Sequence, residues 1–272
     1  MNRNMILASA ASVLLFTSCG NQQETTSAPD TKEVSAAKES SKPLSDQLVM
    51  STLWFQQSLA ADLAFEQAYE LASQKLAENM QRYRSSKTPA VILDIDETVL
   101  DNSPYEARLI EQGENFAPAT WADWVNEARA ELLPGVKAFL TKASTQGVEV
   151  YYVSNRSEDL LAPTLENLQQ FGLPNVDADH VLLKKDTSDK TKRREKIKEK
   201  HQVLLLMGDQ PGDFIENFEK AYHSRMRDSL RQSFIILPNP MYGSFESEIY
   251  KEKILSDSAK SEARKKALDT KQ

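Results

Sequence analysis

Two aspartates, Asp94 and Asp96, open the segment DIDETVLDNSPY (residues 94–105) directly after a short apolar run. Carboxylates crowded in this way repel, and a purely structural role is costly unless a cation or a cluster of donors compensates. A hard divalent ion is the natural compensator, and Mg²⁺ takes oxygen ligands in octahedral geometry, with water or substrate phosphate completing its shell. A second acidic pair, Asp209 and Asp213, stands in GDQPGDF (residues 208–214), again after an apolar run. Ser154, in YYVSNR, ends a third. If the three runs are strands of one sheet, Asp94, Asp96 and Asp209 converge with Ser154 beside them.

The runs that must position these residues read as buried parallel strands: 90–93, 148–153, 203–207 and 233–237, with 181–183 as another. Helical patterns separate them. One long helix is expected over 45–84, with Leu48, Phe55, Leu59 and Leu63 on its apolar face and Pro89 beyond its end; others are expected over 135–146, 158–171, 188–200 and 214–227. Strand and helix alternating at this spacing predict an α/β fold with a doubly wound, Rossmann-like parallel sheet, whose functional groups gather past the carboxyl ends of the strands. The basic run 190–200 reads as a solvated helix face in which Arg193, Arg194, Glu195 and Glu199 offset one another.

Composition narrows the function. The 272 residues, 40% hydrophobic and 27% charged, suffice for a sizeable core. After residue 18 no run approaches the ~20 apolar residues that a spanning helix needs. With 33 Lys+Arg against 40 Asp+Glu the net charge is −7, so nucleic acid meets no general attraction and any phosphate must be met locally. His180, His201 and His223 have no ligand-like spacing, which leaves a His-based metal or haem site unsupported.

DIDETVLDNSPY together with GDQPGDF resembles the bipartite signature of the bacterial class C acid phosphatases, the lipoprotein-type 5′-nucleotidases of the haloacid dehalogenase (HAD) superfamily. The resemblance covers roughly residues 45–250. It implies a HAD-like fold whose mainly helical cap is built from the N-terminal helix and the insertion after the first strand. It implies Asp94 as the nucleophile that forms an aspartyl phosphate, and Asp96 as general acid and then base. Asp94, the backbone carbonyl of Asp96 and Asp209 would hold Mg²⁺, with Asp213 orienting the loop behind them. Ser154 would donate to a phosphoryl oxygen, and Lys190 would place a positive charge on nucleophile and phosphate, a role that Lys184 or Lys185 fills if the alignment slips. Trp121, in the insertion, and Tyr242, in LPNPMYGSF, match positions that line the family's base pocket, whereas Trp124 packs inward. Gln210-Pro211 departs from the pair that the family usually shows after the first Asp of this loop.

The N-terminus adds an address. Residues 1–18, MNRNMILASAASVLLFTS, read as a secretory signal, and because Cys19, the only cysteine, follows small residues, the segment resembles a bacterial lipobox with Cys19 acylated. Residues 19–44 form a polar tether, 45–255 the catalytic domain with its cap, and 256–272 a charged tail. Gly20, where an Asp often retains lipoproteins in the inner membrane, points to the outer membrane of a bacterial envelope. The resulting expectation is a Mg²⁺-dependent phosphomonoesterase acting on nucleoside 5′-monophosphates in nucleotide salvage, lipid-anchored and, by the family's habit, a homodimer. The alternatives are a broad acid phosphatase without nucleotide preference and a non-catalytic ligand-binding envelope lipoprotein.

Overall fold

A computed structural model of the chain describes residues 43–216, 232–251 and 253–270. The signal segment 1–18, Cys19, nearly all of the tether and most of the helix expected over 214–227 lie outside the described residues.

Five parallel strands form the central sheet in the order β5-β4-β1-β6-β7: β1 (Thr88–Leu93), β4 (Glu149–Ser157), β5 (Val181–Lys184), β6 (His201–Gly208) and β7 (Phe234–Ile236). The period of two in a strand separates two faces. Val91, Leu93, Val150, Tyr152, Leu205 and Met207 share one core with α2 (Leu59–Arg82), α5 (Val136–Thr145) and α6 (Leu161–Gln169). Ala90, Ile92, Tyr151, Val153 and Leu206 share another with Ile197 of α7 (Thr191–Lys200) and with Phe214. Both faces are covered, which is why the strands read as continuous apolar runs rather than alternating ones. β1 lies between β4 and β6, so the residues following these three strands must meet.

The helix expected over 45–84 is two. α1 (Val49–Gln57) stops at Ser58, which is extended (φ −94°, ψ 120°) and accepts the Ala60 N–H through its hydroxyl, capping α2. This break resets the helical phase, so the apolar face read from Leu59 and Leu63 points to solvent, with exposures of 70% and 45%. The buried face of α2 is instead Ala61, Phe65, Tyr69, Ala72 and Leu76. Tyr69 donates its hydroxyl to the Thr98 carbonyl, fastening the turn after β1 to this helix. Gly135 faces the same tyrosine: at φ +86°, a Cβ there would lie 2.8 Å from Tyr69 Cβ.

The insertion after β1 carries α3 (Ser103–Gln112) and α4 (Pro118–Asn126), and its two ends are pinned by a short antiparallel pair, β2 (Leu100–Asp101) with β3 (Glu131–Leu132), that the sequence reading did not contain. α1 packs against α3. Within the charged C-terminal segment, Asp257–Ala267 forms α9, beside α8 (Ser244–Tyr250). Arg264 of α9 donates to Tyr250 Oη (2.6 Å), Gln47 Oε1 (3.0 Å) and Glu246, so its charge is spent on specific partners rather than on solvent.

Truncating Phe65 to Ala should therefore cost about 3–5 kcal/mol of unfolding free energy, and Leu59→Ala less than about 0.5. Denaturant melts of both variants check this; similar losses would restore the face read from the sequence.

Candidate active site

The carboxyl ends of β1, β4 and β6 bring Asp94, Ser154 and Asp209 to one place. Asp94 follows β1 directly, and its N–H donates to Met207 O of β6 (2.9 Å), locking the two strand ends together. Asp94, Asp209 and Asp213 each offer a carboxylate oxygen, and these lie within 4.8 Å of one another, all with little exposure.

One cation binds this cluster from within the chain. Lys190, at the start of α7 and 4% exposed, lies 2.7 Å from Asp94 Oδ1 and donates to Asp213 Oδ1 at 2.5 Å. The contact to Asp94 is electrostatic without hydrogen-bond geometry, which leaves Oδ1 of that buried carboxylate without a directed donor. Burial pulls the Lys190 ammonium down, but Asp213 and Asp94 outweigh it and hold its pKa raised. Asp94 is itself raised, by burial first, with Lys190 opposing and Asp213, Asp209 and Asp96 adding. Burial, then Asp213, pushes Asp209 up to about 7. Lys184 and Lys185 take no part in this cluster; Lys185 pairs with Glu158.

Asp96 points elsewhere. Its Oδ2 accepts from Ser154 Oγ (3.0 Å), and its Oδ1 from Arg156 Nε (2.9 Å) and Asn102 Nδ2 (3.0 Å), with Arg156 Nη2 at 2.8 Å. Ser154, fully buried, thus holds Asp96 and accepts the Arg156 N–H, where the expectation had its hydroxyl on a phosphoryl oxygen. Arg156 was missed although it lies in YYVSNR; two residues beyond Ser154 on one strand, it shares that residue's face.

The loop after β6 has a built geometry. Gln210 N accepts no role in the sheet and instead donates to Asp213 Oδ2 (2.9 Å), while Gln210 Nε2 donates to Asp209 Oδ2 (2.7 Å), as does Asn239 Nδ2 (2.8 Å). Pro211 sits at the first position of the 3₁₀ turn Pro211–Asp213, where its missing N–H costs nothing. Gln210-Pro211 is therefore built into the hydrogen bonding and backbone of the loop. Gly208 is required by close approach: a Cβ there would fall 2.2 Å from Asp213 Oδ2. Two residues assigned to a solvated face also turn inward. Arg194, 3% exposed, donates to Gly212 O (2.9 Å) and Asp213 O (3.1 Å), and Arg193 donates to Ser154 O (2.5 Å). Glu195 and Glu199 are exposed as expected on that face, with Glu195 pairing with Lys198.

Below the cluster lies Glu97, wholly buried and in the left-handed region at φ +52°, a strained position for a side chain that is not glycine. Its Oε1 accepts the Asn102 N–H (2.8 Å), and Oε2 has no partner among the described residues. Burial, then Asp96 and Asp209, raise its pKa well above the usual carboxylate value, which disfavours a further negative charge at this place.

In front of the carboxylates opens a cleft of about 620 Å³, lined by Asp94, Asp96, Lys190, Asp209, Trp121 and Tyr242 among others. Trp121 packs edge-on to Tyr105 (5.2 Å between ring centroids) and lies under the Arg156 guanidinium (5.7 Å). Phe116, 62% exposed, adds an aromatic face that the sequence reading did not single out. Trp124 is buried and donates its indole N–H to Asn102 Oδ1 (2.8 Å).

The donor set suits a hard divalent cation. Among the described residues the converging ligands are carboxylate oxygens, one of them lacks a donor, and Lys190 pairs with Asp94 and Asp213. Asp96, with both carboxylate oxygens engaged, has only its backbone carbonyl to spare.

Comparison with known proteins follows the same lines. A family model described as HAD superfamily, subfamily IIIB (acid phosphatase) matches residues 3–245. The structure of the class C acid phosphatase from Bacillus anthracis superposes with a TM-score of 0.78 at 36% identity, covering 84% of this chain and 99% of that one. A second structure of that enzyme, with tungstate bound, gives 0.77 at 35% identity, with the same coverage. Among curated relatives, the stem 31 kDa glycoprotein of Glycine max is 27% identical over 157 residues, covering 56% of this chain and 58% of that protein. Acid phosphatase 1 of Solanum lycopersicum is 25% identical over 151 residues, covering 56% and 57%. The chain thus spans little more than half the length of the curated relatives it matches.

The raised pKa of Asp209 has a measurable sign. A carboxyl near 7 in the folded protein and ~3.9 unfolded contributes stability that is fully present below about pH 4 and lost as pH rises toward 7. A bound cation replaces the proton, so Mg²⁺ added to metal-free protein should raise Tm much more at about pH 7.5 than at about pH 5. Equal shifts at the two pH values would contradict this electrostatic reading.

Proposed function

The chain belongs to subfamily IIIB of the HAD superfamily, the acid phosphatase branch, and from that premise we propose that it is a Mg²⁺-dependent phosphomonoesterase acting on nucleoside 5′-monophosphates. Membership alone does not carry the activity, since one curated relative is named a vegetative storage protein. The observation that carries it is the buried Lys190 ammonium between Asp94 and Asp213, at the floor of an open cleft, with Asp96 held separately by Ser154, Arg156 and Asn102. Tungstate in a similar protein is a tetrahedral oxyanion of phosphate's shape, which supports a phosphate site in the matching cleft.

In this reading an Asp94 carboxylate oxygen attacks phosphorus, and the bond to the ester oxygen breaks as Asp96 gives that oxygen a proton. Water then attacks the phosphorus of the aspartyl phosphate while Asp96 takes the water's proton, which frees phosphate and restores Asp94. Lys190 offsets the charge that gathers on nucleophile and phosphoryl group. Arg156, Ser154 and Asn102 act through Asp96 by fixing its direction. Mg²⁺, held by Asp94, Asp209 and the Asp96 carbonyl, would supply further charge neutralisation. Trp121, Phe116 and Tyr242 give the leaving group flat apolar faces, and stacking contributes about 1–3 kcal/mol per base. Anchoring through Cys19, with residues 20–43 as tether, would place this chemistry in the bacterial envelope, where nucleotides are dephosphorylated before nucleosides are imported.

Asp94→Asn should lower kcat by at least ~10³-fold with the fold retained by circular dichroism. Substantial residual turnover would exclude the aspartyl-phosphate route. Cys19→Ser should move phosphatase activity from the membrane to the soluble fraction of fractionated cells with kcat unchanged; a wild-type protein already soluble after export would exclude the anchor.

A further inference from the structure

The cleft contains a carboxyl that the proposed chemistry leaves without work. Glu106, in the first turn of α3, is 7% exposed and lines the same cleft as the aromatic residues. Its side chain has no hydrogen-bond partner among the described residues, whereas most buried polar groups are paired. The one charged group shown acting on it is another acid, Glu246, and that one is already satisfied by Arg264 and by the Tyr250 hydroxyl. Burial, then Glu246, pushes Glu106 up to about 7, so the site does not supply the donor that would stabilise its charge. Leu109, one turn further along α3, Leu44 and Leu48 line the same cleft, together with the polar Ser45.

A nearly buried, unpartnered acceptor facing an open cleft costs free energy that a ligand with a matching donor recovers. We infer that Glu106 is a specificity-determining residue that accepts a hydrogen bond from an N–H or O–H donor on the leaving group of the phosphomonoester. The inference rests on the nucleotide reading above and deepens it. A nucleoside leaving group offers two sources of such a donor, the exocyclic amine of the base and the sugar hydroxyls. Glu106 touches no reacting atom in this scheme, so its effect belongs to discrimination between substrates.

The test compares wild type, Glu106→Leu and Glu106→Gln on adenosine 5′-monophosphate and 4-nitrophenyl phosphate, with adenosine as an inhibitor of the second reaction. Glu106→Leu should lower the ratio of kcat/KM for the nucleotide to that for the aryl ester by about tenfold or more, and Glu106→Gln, which keeps an acceptor oxygen, should restore part of it. Purine riboside 5′-monophosphate, lacking the amine, and 2′,3′-dideoxyadenosine 5′-monophosphate, lacking the hydroxyls, identify the source: the analogue without the recognised donor loses its sensitivity to Glu106. An unchanged ratio, together with equal inhibition of wild type and Glu106→Leu by adenosine, overturns the inference. A wild type that does not prefer the nucleotide over the aryl ester refutes the nucleotide reading instead. In that event adenosine inhibition still decides on Glu106, because a weaker inhibition of Glu106→Leu keeps the subsite and an equal one removes it.

Discussion

The structure is organised around a cost: three buried carboxylates, Asp94, Asp209 and Asp213, share one place with one ammonium among the described residues, Lys190. Like charges in a low-dielectric site repel far more strongly than in water, so the cluster persists only if protons, a cation or a ligand compensate. The protein supplies several partial answers. Burial holds the Glu97 pKa up, Asn239 and Gln210 donate to Asp209, and Arg194 braces the backbone of the Asp213 loop. None of them gives Asp94 Oδ1 a directed donor. A site balanced in this way favours a divalent cation and the phosphoryl group that follows it.

That constraint explains features of the fold that packing alone does not. β1 occupies the middle of the sheet, so that Asp96 after it meets Ser154 and Arg156 of β4 while Asp94 meets Asp209 beyond β6. Gly208 leaves room for Asp213, and Tyr69 ties the long α2 to the strained turn that holds Glu97. Asp96 is kept away from the cluster by Ser154, Arg156 and Asn102, which separates its carboxylate from the charge-binding groups. The two kinds of carboxylate are therefore set by their partners, although they stand two residues apart in the chain.

Much of this was legible in the sequence. The apolar runs located the strands, and the acids after them located Asp94 and Asp209 of the cluster although not the direction of Asp96, because buried strands and crowded acids are local patterns. What failed was information carried by tertiary context. Ser58 interrupts a pattern that reads as one helix, and the phase change hid Phe65 and Tyr69 behind Leu59 and Leu63. Arg193 and Arg194 sit in a basic run whose composition fits solvent, yet the loops that they brace come from elsewhere in the chain. Arg156 and Glu97 gave no signal of burial, since a charged residue is buried only when partners distant in sequence accept it. The partners of the C-terminal α9 were obscured for the same reason: its Arg264 finds Glu246, Tyr250 and Gln47 only after folding.

The central claim is that the carboxylate cluster holds protons that a divalent cation displaces. Isothermal titration of Mg²⁺ into metal-free protein near pH 7, repeated in buffers of different ionisation enthalpy, counts those protons directly. The account predicts one strong site whose apparent enthalpy varies with the buffer, showing net proton release, and loss of that site in Asp209→Asn. Binding with no buffer dependence, or no saturable binding, would contradict it.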